Sequence, residues 1–294
     1  MSFVLSCCST ADLTKEHFEK RNIQYVCFHY ELDGVTYPDD LGQTMPFEEF
    51  YQRMVDGADT KTAQVNIQEY LEYFTTFLEQ GKDILHLTLS SGISGSHNSA
   101  VNAANIARER FPDRKIYVLD SLAAASGFGL IMDTLADMRD AGADIDTLYN
   151  WAKENVLKMH HWVFSTDLTF FVKGGRISKT AGVVGTVLGI CPMINVNVEG
   201  RLIVRDKIRS KKRVINEVVK KMENHAENGL DYSGKCFICH SACYDDARAV
   251  ADLVESKFPK LNGKVEIFSI GTTIGSHTGP GTVALFFWGD ERVD

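Results

Sequence analysis

The feature that most constrains the fold is an alternation along the chain. Short apolar runs rich in β-branched and aromatic residues recur between longer segments of helical period, which predicts parallel β-α units. Phe3–Cys8 reads as the first strand, and Ser9-Thr10-Ala11-Asp12 as a capping box opening a helix. Gln24–Tyr30 reads as the next strand. Glu31–Thr60 is then a long connection with one short helix after Pro46, and connections of that length are usually functional loops or lids. Ile67, Tyr70, Leu71, Phe74 and Leu78 share one helical face. A strand over Asp83–Leu89, a Ser/Gly loop over Ser90–Ser96, a helix over Asn98–Phe111 and a strand over Lys115–Leu119 follow, then two helices separated near Gly142.

His160–Ser165 opens a second set of strands, continued by Asp167–Val172, Met193–Val198, Leu202–Lys207, Cys236–His240, Val265–Ile270 and Thr282–Trp288. Only Glu199-Gly200-Arg201 separates two of them, too few residues for a crossover, so that pair is expected to be an antiparallel hairpin and the second sheet mixed. The expected architecture is two α/β domains: an N-terminal parallel-sheet α/β/α domain over residues 1–158 and a C-terminal mixed-sheet α/β domain over residues 159–294.

Composition narrows the function. The 294 residues suffice for two domains, and 44% hydrophobic with 24% charged residues excludes disorder and fibre. A chain this long can enclose a pocket without a disulfide or metal to support its core. The net charge of −8 argues against nucleic acid as the main partner. The first residues carry no basic and apolar regions of signal-peptide type, and the longest apolar stretch, Ala181 to Ile194, is short and broken by Gly182, Gly185, Gly189 and Pro192. A cytoplasmic protein with no stable membrane insertion is the expectation, its seven cysteines reduced.

Two glycine-rich loops carry the candidate chemistry. Ser90-Ser91-Gly92-Ile93-Ser94-Gly95-Ser96 stands between strand and helix, where free amides, hydroxyls and the helix dipole suit an anion. A tight turn with capping serines explains the same residues. Gly271 to Gly281, with His277 at its centre, lies where open α/β sheets bind ligands, although His277 could simply anchor its own loop. Ser94, Asp120 and His277 follow the hydrolase order of nucleophile, acid and base, but Ser96 occupies the place of the elbow's last glycine. Cys236, Cys239, His240 and Cys243 resemble a zinc or haem run. On a strand, though, Cys236 and Cys239 point to opposite faces and read as buried structural thiols. Lys173-Gly174-Gly175-Arg176-Ile177-Ser178 ends a strand and begins a Gly-rich helix suited to close approach. Arg201 to Lys221 holds nine cations against two acids, either a solvated helix face or a docking patch.

Taken together these motifs resemble the DegV family of bacterial lipid-binding proteins, which includes the fatty-acid-binding subunits of fatty acid kinases. The resemblance runs from Ser9-Thr10-Ala11-Asp12-Leu13 to His277-Thr278-Gly279-Pro280-Gly281. It implies a fatty acid buried in a tunnel, its carboxylate at the interdomain cleft held by Thr62, Ser94, Gly95 and His277, with Arg176 as a further candidate. Arg209 matches the basic residue linked to the kinase partner. The resemblance implies no cofactor and no metal, and a carrier rather than an enzyme, since no P-loop pattern is present. Two other readings stand from the residues: a serine hydrolase or a phosphotransferase acting on a small anion, and a ligand-sensing regulator using the basic segment. The family's Thr-Ser-Gln-Pro-Ser segment stands here as Thr62-Ala63-Gln64-Val65-Asn66, Cys8 takes the place of an aspartate, and Cys191 that of a common lysine.

Overall fold

The computed structural model describes residues 3–182 and 189–294. In chain order, β1 (Phe3–Cys8) leads through a 3₁₀ turn to α1 (Lys15–Lys20). β2 (Gln24–Val26), β3 (His29–Leu32), β4 (Val35–Pro38), α2 (Phe47–Val55) and β5 (Thr60–Ala63) come next. α3 (Ile67–Leu78), β6 (Asp83–Thr88), α4 (Ser96–Arg110), β7 (Ile116–Asp120), α5 (Ala125–Asp140) and α6 (Ile145–Asn155) follow. Then come β8 (Met159–Ser165), α7 (Thr169–Lys173), α8 (Lys179–Gly182), β9 (Ile190–Val196), β10 (Leu202–Arg209) and α9 (Lys211–His225). The last elements are β11 (Phe237–His240), α10 (Tyr244–Lys257), β12 (Glu266–Ser269), α11 (Thr272–Thr278) and β13 (Thr282–Trp288).

The N-terminal sheet is parallel, in the order β2-β1-β6-β7, and β1 is buried along its whole length because helices cover both faces. The second sheet runs β10-β9-β8-β13-β11-β12 and is antiparallel except between β11 and β12, so the expected hairpin of β9 and β10 and the mixed character are both present. α3 begins with a reciprocal capping box between Asn66 and Glu69, and four alanines of α4 are fully buried, the small residues that let a helix lie close. α5 is the hinge of the packing: it touches the 3₁₀ turn of the first half and β8, β11 and β13 of the second. Its first residue, Ala125, sits at φ 52, a left-handed conformation costly for a residue with a Cβ. No helix among the described residues is long and apolar enough to cross a membrane.

Four local expectations are corrected. Gln24–Tyr30 is not one strand: β2 ends at Val26, and the Phe28 backbone is held between the Ser9 hydroxyl and the Asp39 amide, which turns β3 into a different sheet. Glu31–Thr60 is not a loop, because β3, β4 and β5 form a third, antiparallel sheet in the order β4-β3-β5, backed by Phe50, Tyr51 and Met54 of α2. Ser9–Asp12 opens no α-helix. Asp12 adopts φ 45, Ser9 donates to Asp39, and α1 starts later, capped by Thr14. Finally, no strand forms over Asp167–Val172: the Asp167 carboxylate accepts from both the Thr169 amide (2.9 Å) and its hydroxyl (2.6 Å), a local turn after which Thr169–Lys173 is helical. Of the Gly-rich helix expected after Ser178, Gly185 lies outside the described residues.

Candidate functional site

A cavity of about 600 Å³ lies where α5, β8, β13, α7 and α11 meet the serine loop, within the ~300–1,000 Å³ usual for ligand pockets. Most of its wall is apolar, with Val163 and Phe286 from the second sheet, Leu89 and Ile93 from the first half, and Phe171 and Ile274 from α7 and α11. The five residues expected to hold an anion all border it: Thr62 on β5, Ser94 and Gly95 before α4, Arg176 after α7, and His277 on α11. Four segments distant in sequence thus converge. Arg209 does not border the cavity. Leu202, at the start of the same strand, does, so Arg209 stands roughly 23 Å further along β10.

The polar groups interlock. Thr62 Oγ1 and His277 Nε2 share a hydrogen bond of 2.7 Å. His277 Nδ1 is buried without a hydrogen-bond partner and lies against Gly174, where a Cβ would sit only 2.2 Å away, so no larger residue fits at that position. Burial, followed by the charge of Arg176, pushes the imidazole down to about 4, and it is neutral at pH 7. Arg176 donates through Nε and Nη2 to the Ile93 carbonyl (3.2 and 3.0 Å) and through Nη1 to the Gly174 carbonyl (2.5 Å). Its guanidinium is partly buried, burial lowers its pKa, and its hydrogen-bond partners among the described residues are carbonyls, not carboxylates. The rest of its donor fork remains available for an anion.

The serine loop also joins the two halves. Ser90 donates to the Gly200 carbonyl at 2.8 Å, and Gly92 presses on the β9–β10 turn so closely that a Cβ would lie 2.4 Å from the Glu199 oxygen. Ser94 Oγ accepts from the Ser96 amide at 3.2 Å at the entrance to α4. The hydrolase arrangement does not assemble, because His277 is engaged by Thr62 while Asp120 accepts from the amides of Ser91 and Leu122. Cys236 and Cys239 do face opposite ways: the first joins the core behind α9 and α10, the second faces the cavity. All seven cysteines are free thiols.

Sequence reasoning missed Gln64, which borders the cavity, packs against Gly95 and donates to Ser99 at 3.1 Å. Its position two residues after Thr62, on the same side of an extended segment, was the available signal. Thr273 and Thr278 were also missed, since a short helix gives no periodicity to read.

Fold and site together define a three-sheet α/β protein built around a largely apolar cavity with one polar, cation-bearing end. The family model described as "Uncharacterised protein, DegV family" matches residues 8–290. A DegV domain-containing protein of Clostridium perfringens is 35% identical over 99% of this chain and 98% of its own length. A stearic acid-binding protein of Eubacterium ventriosum superposes with a TM-score of 0.85 at 26% identity, covering 97% of each chain. The Streptococcus pneumoniae Fatty Acid Kinase (Fak) B3 protein loaded with linoleic acid gives 0.85 at 22%, over 99% of this chain and 100% of that one. The chain belongs to the DegV family.

Proposed function

We propose that the cavity holds one long-chain fatty acid, its carboxylate at Arg176, Thr62, Ser94, the Gly95 backbone and His277, and its tail along the apolar wall. The observation that carries this reading is Arg176, a partly buried cation bound, among the described residues, by carbonyls alone at the polar end of a largely apolar cavity. A buried cation without a counterion is costly, and a ligand carboxylate would supply it. Each buried methylene adds ~0.8 kcal/mol, so the tail provides affinity while the polar end fixes orientation. The stearic acid-binding and linoleic acid-loaded relatives support the ligand class.

On this reading the protein is a carrier, with no catalysis of its own and no cofactor beyond its ligand. It offers the carboxylate, at a cleft between domains divided near residue 158, to an ATP-binding fatty acid kinase docked at Arg209, and it works in the cytoplasm. The kinship with a Fak B3 protein is what suggests the kinase. Native mass spectrometry of the purified protein, followed by denaturing extraction, tests the ligand: one fatty acid per chain is expected. Arg176→Gln and the double variant Thr62→Val/Ser94→Ala should each weaken binding ~10–100-fold, the equivalent of ~1.4–2.7 kcal/mol for charge-assisted hydrogen bonds. Unchanged affinity in both would overturn the assignment of the polar end.

A further inference from the structure

On the strand face opposite the cavity-lining His161 and Phe286, three side chains converge: His160 on β8, His225 at the last position of α9, and Asp290 just beyond β13. His160 Nε2 lies 2.9 Å from Asp290 Oδ1, His225 Nδ1 lies 3.2 Å from the same oxygen, and all three donor atoms fall within 4.8 Å of one another. Four ligands around a metal at ~2.0–2.1 Å stand roughly 3.3 Å apart at the corners of a tetrahedron. The two His–Asp spacings already lie near that value, and the two imidazole nitrogens, within 4.8 Å of each other, need approach by no more than about 1.5 Å. The Asp290 carbonyl, 2.9 Å from His160 Nε2, adds a further oxygen at the same spot.

The backbone holds this arrangement in place. The Asp290 amide donates to the His225 carbonyl (3.0 Å), the Gly289 amide donates to the Lys158 carbonyl (2.9 Å), and Ala226 bridges to Gly289. The rings are fixed as well: Phe287 stacks on His160 and Trp162 on His225. The neighbouring cation, Arg292, is tied to the carbonyls of Leu157, Val196, Leu122 and Val156.

We infer that His160, His225 and Asp290 form a binding site for a divalent transition metal, zinc by its two-imidazole, one-carboxylate donor set, with the remaining position open to water. The sequence led to no expectation of a metal, because the three residues are separated by 65 and 65 positions and match no ligand spacing. An ion here would staple the end of α9, whose outer face carries the basic segment, to β8 and the chain end.

Chelator-treated full-length protein titrated with Zn²⁺ in a calorimeter tests this, with Co²⁺ as the spectroscopic probe. One ion per chain is expected, with a rise in Tm and a tetrahedral Co²⁺ spectrum lacking a thiolate charge-transfer band. His225→Ala and Asp290→Asn alter partly exposed side chains, so both should fold; each should weaken metal binding at least ~10-fold and leave fatty-acid affinity unchanged. No stoichiometric binding, binding equally strong in both variants, or a thiolate band, which would place the ion on cysteines, overturns the proposal.

Discussion

His277 is held neutral because burial, with Arg176 nearby, pushes its imidazole from 6.5 down to about 4. Between those two values the unfolded chain binds a proton that the folded chain refuses, so this residue withdraws stability as pH falls through that window. A carboxylate placed beside the ring opposes the shift, so ligand binding takes up a proton there. Calorimetry at pH 5.5 in buffers of different ionisation enthalpy should show proton uptake with fatty acid, absent at pH 8 and absent in His277→Gln; equal heats in all buffers would refute it. Asp12 behaves in the opposite sense. Burial, then Asp39 beside it, raises its carboxyl well above 3.8, so its contribution is complete below that value and is lost as pH rises. Asn tolerates the left-handed backbone at this position and removes the carboxyl group that would have to ionise, buried, beside Asp39. Asp12→Asn is therefore expected to stabilise the chain by about 1–3 kcal/mol at pH 7 and hardly at all at pH 3.5, read by urea denaturation at both.

At the scale of elements, the serine loop and the β9–β10 turn act as one unit. Gly92 rests on Glu199 and Gly200, Ser90 bonds Gly200, and the carbonyl of Ile93 carries the Arg176 guanidinium. Gly92→Ala would drive a methyl group against a backbone oxygen that cannot rotate away. A loss of about 1–3 kcal/mol in thermal denaturation is expected, together with weaker fatty-acid binding, because the loop that seats Arg176 must shift. Stability and affinity both unchanged would show that the loop is not coupled to the head-group end.

For the whole molecule the asymmetry of charge matters most. Arg201 to Lys221 carries a net +7, which leaves −15 for the rest of the chain. Arg205, Lys207, Arg209, Lys211 and Lys212 all stand exposed along β10 and the start of α9. A one-sided surface of this kind governs encounter rate and partner choice. Under the proposed function, reversing charge at Arg209, Lys211 and Lys212 should abolish phosphorylation of a bound fatty acid by the proposed kinase partner while leaving lipid affinity nearly intact, and added salt should weaken the wild-type pairing. Both quantities should be measured on the same variant, for a parallel fall in lipid affinity would assign Arg209 to the pocket instead.

Strand and helix periods, and the three-residue hairpin connection, depend only on neighbours in the chain, so the parallel first sheet, the mixed second sheet and α3 were legible from the sequence. The glycine loops were legible for the same reason. What failed were segments whose conformation is set by distant partners. Cys27 and Phe28 break a strand because Ser9 and Asp39 claim the backbone, and the apolar residues of α7 look like a strand although the turn at Asp167, bonded to Thr169, leads them into a helix. The Thr62–His277 bond, the contact of Gly174 with His277 and the meeting of His160 with Asp290 join residues 215, 103 and 130 positions apart. No local pattern encodes such separations, so only the tertiary packing, which brings these polar groups together from distant segments, could decide them.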